Sequence, residues 1–145
     1  MLKINQHITD THGDSEIITA LCYLPGYYFI PRIRDFKHQQ LYRANRLVNY
    51  VFFTPLMNKT VDLDIIEEQS DAVIHVSQSL KKRTAPAHVI TERLTSYFPF
   101  DPLSKAFTNL ARLIKPEYIL RYMTVQDLRR TVQLNKTEYR NNLLR

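Results

Sequence analysis

Apolar positions near the start of the chain change from a strand-like to a helix-like pattern. Residues 1–9 have the composition of a short buried strand, after which Ile17, Leu21 and Leu24 recur at intervals of four and three, as on one face of a helix. The Pro25-Gly26 pair ends this helix, and a β-prone run follows at 27–30. Strand, helix and strand within about thirty residues predict a βαβ unit whose two strands are parallel.

The remainder of the chain is irregular at first and then helical. Residues 36–60 are mixed, and a short strand is expected at 51–53. From about residue 61 four apolar stripes of helical spacing follow: Ile66, Val73, Val76 and Leu80; Val89, Ile90 and Leu94; Leu103, Phe107, Leu110 and Ile114; Tyr118, Ile119, Tyr122 and Met123. We expect Pro116 to separate the last two helices. A final helix over 124–145 would carry Glu138 off its apolar stripe.

An acidic residue stands where the first predicted strand ends. Asp10 precedes a turn at 11–13, and the second strand is followed by the charged run at 32–35. Functional groups of parallel sheets gather beyond the carboxyl ends of the strands, so both places are candidate site positions. From the residues alone, Asp10 is more simply a cap of the following helix. By the same reasoning, Glu138 is a solvated acid paired locally with Lys136 or Arg140.

Composition narrows the class of protein. The 145 residues fit one domain, and a net charge of +6 with a hydrophobic content of 44% describes a basic chain with enough apolar residues for a core. A basic chain favours a polyanionic partner such as nucleic acid, although many basic proteins bind none. The single cysteine, Cys22, excludes an internal disulfide and is expected to be a small core residue. No apolar run approaches the ~20 residues of a membrane span, so a cytoplasmic protein is expected.

Four short motifs occur in a fixed order along nearly the whole chain. They are D-T-H-G at 10–13, A-L-C-Y-L at 20–24, P-R-I-R-D at 31–35 and L-N-K-T-E at 134–138. In this order they resemble the catalytic domain of the Tn3 family of bacterial replicative transposases. The resemblance implies an α/β fold: a partial RNase H-like (DDE transposase) core at 1–56, a helical insertion at 57–123, and a helix at 124–145 that carries the last catalytic acid.

The resemblance also implies a metal site. Asp10 and Glu138 would be the second and third acids of a DDE triad, and both would be catalytic metal ligands for Mg²⁺ (or Mn²⁺) ions about 3.5–4 Å apart. The first acid has no candidate before Asp10, so the two-ion site is expected only in the complete protein. Thr137 replaces a glycine of the family pattern, which is consistent with a diverged copy.

DNA is the partner that the resemblance implies, as transposon ends and as target. Five residues are candidate DNA contacts: His12, Arg32, Arg34, Lys37 and Lys136. The basic residues at 32–37 are equally compatible with an internal salt bridge to Asp35. His7 and His12 flank Asp10, but two histidines around one aspartate lack the further ligands that would indicate zinc.

The expected function is therefore that of a transposase segment that nicks transposon 3′ ends and joins them to target DNA. Because one acid is missing, the isolated chain is expected to be inactive. Two alternatives remain open: a non-enzymatic DNA-binding remnant held by charge, and an interaction module that modulates a full-length transposase by occupying its dimer partner. For the partner, a homo-oligomer and a full-length transposase both remain open.

Overall fold

A strand–helix–strand unit opens the described part of the chain. The computed structural model describes residues 6–9, 16–31, 39–97, 100–126 and 130. Strands β1 (Gln6–Thr9) and β2 (Tyr28–Pro31) flank helix α1 (Glu16–Tyr23). The strands pair in parallel, in a register that runs from Gln6 opposite Tyr28 to Thr9 opposite Pro31. The predicted βαβ unit is confirmed.

The turn after α1 follows the predicted break. Gly26 has a φ of +89°, a left-handed conformation that glycine adopts without a steric penalty from Cβ. Its amide donates to the Tyr23 carbonyl at 3.0 Å, and the Tyr27 amide donates to the Cys22 carbonyl at 2.9 Å. These bonds satisfy carbonyls that the end of a helix would otherwise leave unpaired, and they direct the chain into β2.

The connector contains two very short strands and a 3-10 helix. Strands β3 (Tyr42–Arg43) and β4 (Lys59–Thr60) pair in parallel, whereas residues Val51–Leu56 form the 3-10 helix. The predicted strand at 51–53 is therefore wrong. The Asn49 side chain accepts a hydrogen bond from the Val51 amide at 2.9 Å, and Val51 has a φ of +50°. This local turn places the backbone outside the β region, despite the strand preference of valine and phenylalanine.

Four helices follow. They are α2 (Leu63–Glu68), α3 (Ser70–Lys82), α4 (Ala87–Ser96) and α5 (Pro102–Thr124). The stripe predicted from Ile66 to Leu80 is divided between α2 and α3 at Gln69, and Ile65, not Ile66, packs against the core. Helix α4 forms as predicted and Leu94 is buried, but Val89, which is predicted on the same apolar stripe, is 49% exposed.

Helix α5 continues through Pro116, so the predicted boundary between two helices at this residue is wrong. A proline inside a helix removes one hydrogen bond, here to the carbonyl of Arg112, and crowds that carbonyl. Packing on both sides outweighs this cost. Phe107 and Ala111 are buried before the proline, and Ile119 and Tyr122 are buried after it.

Two apolar clusters hold these elements together. The larger joins α1 to α3, α4 and α5, and the smaller joins the connector to the second half of α5. Ala20 on α1 and both Ala106 and Ala111 on α5 are fully buried, so the two helix backbones approach closely over small side chains. Ile17 and Leu21 are buried and Leu24 packs beside them, which confirms the predicted face of α1.

The predicted final helix over 124–145 lies almost entirely outside the described residues, and its expected features stay predictions. Among the residues that are described, none of the helices is both long enough and apolar enough to span a membrane. The described chain is thus a mixed α/β arrangement in which helices predominate.

Candidate active site and a basic cleft

The carboxyl ends of β1 and β2 lie side by side. Thr9 and Pro31 are Cα partners in the parallel register. Asp10 is the next residue after Thr9 in the chain, and Arg32 is the next after Pro31. Thr9 precedes the predicted acid, and Pro31 precedes the predicted phosphate-binding arginines. These two residues are therefore neighbours at the carboxyl ends of the strands.

Every predicted site residue itself lies outside the described residues. These are Asp10, His12, Arg32, Arg34, Lys37, Lys136 and Glu138. Within the ranges that the structure covers, no group of three or more His, Cys, Asp or Glu side chains is placed to hold a metal ion. The two-acid site and its DNA contacts stay predictions from the sequence.

An ion pair anchors the start of α1. The Nε atom of Arg112 on α5 donates to both carboxylate oxygens of Glu16, at 3.2 Å to Oε1 and 3.0 Å to Oε2. Both side chains are 28% exposed. A charge-assisted bond of this kind at a partly exposed position contributes up to about 1 kcal/mol. It fixes the helix end that directly follows residues 10–15, at a sequence separation of 96 residues that no local pattern reveals.

The same arginine lies over an aromatic ring of the connector. The guanidinium carbon of Arg112 is 4.8 Å from the centroid of the Tyr42 ring, and the Lys59 ammonium is 6.0 Å from the same centroid. Cations within about 6 Å of a ring centroid are attracted by the negative face of the π system. Tyr42 therefore holds two cations near the short β3–β4 pair.

These cations belong to an open polar cavity of about 650 Å³, which we call the basic cleft. It is lined by Arg43, Arg46, Lys59 and Arg112, together with Tyr42 and Thr60 among others. The Arg46 Nε donates to Thr60 Oγ1 at 3.1 Å, which positions that arginine at the cleft. The Arg43 Nε is buried and has no hydrogen-bond partner among the described residues.

No pattern in the sequence indicates the basic cleft. Its cations come from positions 43, 46, 59 and 112, which are too far apart to form a charge run. The β3–β4 register brings them together by placing Tyr42 opposite Lys59 and Arg43 opposite Thr60. Strands of two residues carry no readable alternation, so this pairing has no sequence signal.

Cys22 is a half-buried free cysteine. Burial raises the pKa of its thiol, which favours the neutral form and lowers its reactivity as a nucleophile. It borders an apolar cavity beside Leu21, Leu80 and Pro86. The sequence predicts a small core residue at this position; Cys22 is instead half-buried and lies next to Leu21 of the larger apolar cluster.

Comparison with known proteins identifies relatives over the whole chain. Residues 1–145 match the family described as Tn3 transposase DDE domain. The chain is 32% identical to the transposase for transposon Tn1546 of Enterococcus faecium and 34% identical to that for Tn501 of Pseudomonas aeruginosa, each over 99% of this chain and 15% of the relative. It is 34% identical to the transposase for transposon gamma-delta of Escherichia coli (strain K12), over 95% of this chain and 14% of the relative.

The chain thus spans about 15% of the length of the curated relatives that it matches. No solved structure matches it significantly. The family match covers every residue, and the chain belongs to the family of Tn3 transposase DDE domains.

Proposed function

We propose that the chain is a catalytic segment of a DNA transposase of the replicative type, in which Asp10 and Glu138 supply two of the metal-binding acids. The family match over residues 1–145 carries this proposal. The transposases named above are proteins of the same family and align with nearly the whole chain. The activity, the metal and the DNA substrate of the complete protein are part of the proposal.

The strand register supports the position proposed for Asp10. Thr9 and Pro31 are partners at the carboxyl ends of two parallel strands. Residues that follow such strand ends are well placed to hold ligands, because several chain segments converge there without covering one another. Asp10 follows one of these ends and Arg32 follows the other, so an acid and a phosphate-binding cation would share one edge.

The donor set fits a hard divalent cation. Carboxylates are the side chains that Mg²⁺ accepts, usually one or two with several waters, and Mn²⁺ prefers similar oxygen donors. When bound, the ions would supply charge stabilisation to the attacking and leaving oxygens of a phosphoryl transfer. Asp10 and Glu138 would hold the ions, and His12, Arg32, Arg34, Lys37 and Lys136 would orient the DNA backbone through its phosphates.

The β1–α1–β2 unit is assigned in this proposal to a partial RNase H-like core at 1–56, followed by a helical insertion at 57–123 and the helix of the last acid at 124–145. Helix α1 shares its apolar cluster with α3, α4 and α5. The core segment and the insertion would therefore be stabilised together, because neither buries its apolar face without the other.

The most direct test measures Mn²⁺ binding to the 145-residue chain by calorimetry or electron paramagnetic resonance. Asp10→Asn and Glu138→Gln should each weaken the affinity by at least on the order of tenfold, since even outer-shell partners of metal ligands have effects of that size. Asp64→Asn and Glu92→Gln remove exposed acids of α2 and α4 and serve as matched controls. Equal affinities for all five proteins would refute the metal site.

A second test concerns activity. The chain offers no candidate for the first acid, so we expect no strand cleavage of a transposon-end duplex with Mg²⁺ or Mn²⁺ by the chain alone. Cleavage that Asp10→Ala abolishes would contradict the expected inactivity while supporting the site.

A DNA-binding remnant without catalysis is the second candidate, and the basic cleft favours it. This candidate predicts steep salt dependence of DNA binding and no effect of Glu138→Gln on metal binding. An interaction module would instead co-purify with an intact transposase of the family.

A further inference from the structure

The basic cleft concentrates positive charge that the described part of the chain leaves largely unneutralised. Its four cations are Arg43, Arg46, Lys59 and Arg112. In the described ranges, one carboxylate pairs with them, that of Glu16 through Arg112. Four positive charges and one negative charge leave a formal charge of +3 around an open polar cavity. Such a cavity attracts anions, because the cations are desolvated on one side and remain open to solvent on the other.

Arg43 contributes its guanidinium group to the wall of the cleft. Its Nε–H is buried and has no hydrogen-bond partner in the part of the chain that the structure describes. Buried N–H groups are nearly always paired, so an unpaired one calls for a ligand or an equivalent explanation. A guanidinium presents its donors as a planar fork that matches two oxygens of a phosphate or carboxylate group.

The neighbouring groups are held in place by contacts of their own. The Nε of Arg46 is fixed by Thr60, and Lys59 and Arg112 lie over the Tyr42 ring. The smaller apolar cluster, which includes Leu41 and Met57, packs the adjoining residues of the connector against α5. The cleft is therefore a prepared arrangement of donors, and little ordering would remain to be done when an anion binds.

We propose that the basic cleft binds a phosphodiester group of a DNA strand. This contact would be separate from the candidate active site at the carboxyl ends of β1 and β2. Arg43 and Arg46 would donate to the phosphate oxygens, and Lys59 would add charge. The affinity for phosphate follows from the cleft itself, whereas its identification as a phosphate of DNA rests on the proposed function. The Glu16–Arg112 bond places the cleft next to the start of α1, which lies six positions after Asp10 (16 minus 10).

The test compares two charge-matched variants of the 145-residue chain. One variant combines Arg43→Gln, Arg46→Gln and Lys59→Gln within the cleft. The control combines Lys81→Gln, Lys82→Gln and Arg93→Gln, which removes three exposed cations from α3 and α4. Binding of a short fluorescein-labelled DNA duplex is measured by anisotropy over a series of NaCl concentrations, with EDTA present so that divalent metals make no contribution.

The cleft variant should bind DNA at least about tenfold more weakly at low salt, and the slope of log K against log[salt] should become shallower by about 2 to 3, because each lost phosphate contact removes about 0.9. The control should change the slope by less than about 1. Equal losses in the two variants would show that net charge alone binds DNA and would overturn the proposal. Unchanged binding by the cleft variant would overturn it as well.

Two further measurements keep the result interpretable. Circular dichroism and a thermal melt establish that each variant is folded, and Arg43→Lys retains the charge while it removes the forked donor. This single variant should bind DNA several-fold more weakly; an affinity equal to that of the unmodified chain would exclude the proposed role of the Arg43 fork. Inorganic phosphate is titrated in parallel, and binding of inorganic phosphate without binding of DNA would contradict the DNA assignment.

The outcome is separable from that of the metal site. If the acid variants bind Mn²⁺ as well as the unmodified chain does, and the cleft variant still loses DNA affinity, the proposed metal site is refuted and the cleft proposal is supported. If metal binds as proposed and the two charge-matched variants lose equal DNA affinity, only the cleft proposal is refuted.

Discussion

The larger apolar cluster and the basic cleft lie along the same helix, α5, and are built in opposite ways. In the cluster, Ala106, Phe107 and Ala111 are fully buried, and the buried Thr108 hydroxyl donates to the Ser104 carbonyl at 2.9 Å. At the cleft, a buried donor of Arg43 has no partner among the described residues, and the nearby connector exposes apolar side chains, with Leu47 92% exposed.

This difference separates residues that stabilise the fold from residues that are available for binding. Burial of apolar atoms away from water and their close packing stabilise the folded state, and an unpaired polar group among them would reduce this stabilisation. An unpaired donor and exposed apolar side chains gain little in the isolated chain. Substitutions in the cluster should therefore change stability, whereas those at the cleft should change binding.

The largest expected effect tests this division at two phenylalanines. Phe107→Ala should lower the free energy of unfolding by about 3–5 kcal/mol, because a fully buried ring leaves a cavity. Phe53→Ala, at a side chain that is 40% exposed on the connector, should lower it by less than about 1.5 kcal/mol. Urea unfolding monitored by circular dichroism measures both, and similar losses would break the comparison.

The second prediction concerns Pro116 in α5, the helix that contributes to both the larger apolar cluster and the basic cleft. Pro116→Ala restores the missing amide and should raise the free energy of unfolding by roughly 1–3 kcal/mol. Met123→Ala, at an exposed position of α5, is the control and should change it by no more than about 0.5 kcal/mol. A Pro116→Ala chain that unfolds at lower urea would mean that packing around α5 depends on the shape the proline imposes.

The third prediction compares the smaller stability effects of two N-terminal helix caps, Asp101 and Asp62. The Asp101 carboxylate accepts from both the amide and the hydroxyl of buried Ser104, each at 3.0 Å, so Asp101→Ala should destabilise the chain by about 1–2 kcal/mol. The Asp62 carboxylate accepts from the Ile65 amide at 3.4 Å in an exposed setting, and Asp62→Ala should have an effect of only about 0.5 kcal/mol. Thermal melts of the two variants provide the measurement, and the reverse order would contradict the expectation.

The smallest effect concerns Cys22 at the edge of the cluster. Because burial raises the pKa of its thiol above the ordinary 9.0, its contribution to stability is complete below that value and is lost as pH rises through the higher folded-state pKa. Between about pH 7 and about pH 10, the unmodified chain should lose more stability than Cys22→Ala does. Equal pH dependence of the two chains, measured by urea unfolding, would mean that the thiol ionises as freely as in the unfolded chain.

Elements with strong local signals could be predicted from the sequence. The face of α1 formed by Ile17 and Leu21, the break at Gly26 and the parallel pairing of β1 with β2 all follow from periodicity and turn chemistry. Helical periodicity also predicts Leu94 and Phe107 on the apolar faces of their helices, and both are buried.

Features that depend on distant packing could not be predicted. A proline normally indicates a helix end, and nothing near Pro116 shows that Ile119 and Tyr122 would be buried on the same helix as Phe107. The run at 51–53 has strand-forming side chains, yet the Asn49 cap and the φ of Val51 decide its conformation.

The candidate site divides in the same way. Ordered motifs along the chain indicate Asp10 and Glu138, which stay predictions because both lie outside the described residues. The cations of the basic cleft belong to no motif. They meet only because the two-residue strands β3 and β4 pair, and because Arg112 on α5 reaches Tyr42.

The unbroken course of α5 has a mechanical consequence. Its 23 residues form a rod on the order of 35 Å long at a rise of 1.5 Å per residue. A movement of one end of this helix moves the other end as well. Bending is easiest at Pro116, where one backbone hydrogen bond is absent. Arg112 lies one turn before that joint, so flexing there would reorient the Tyr118–Tyr122 half relative to the half that carries Arg112.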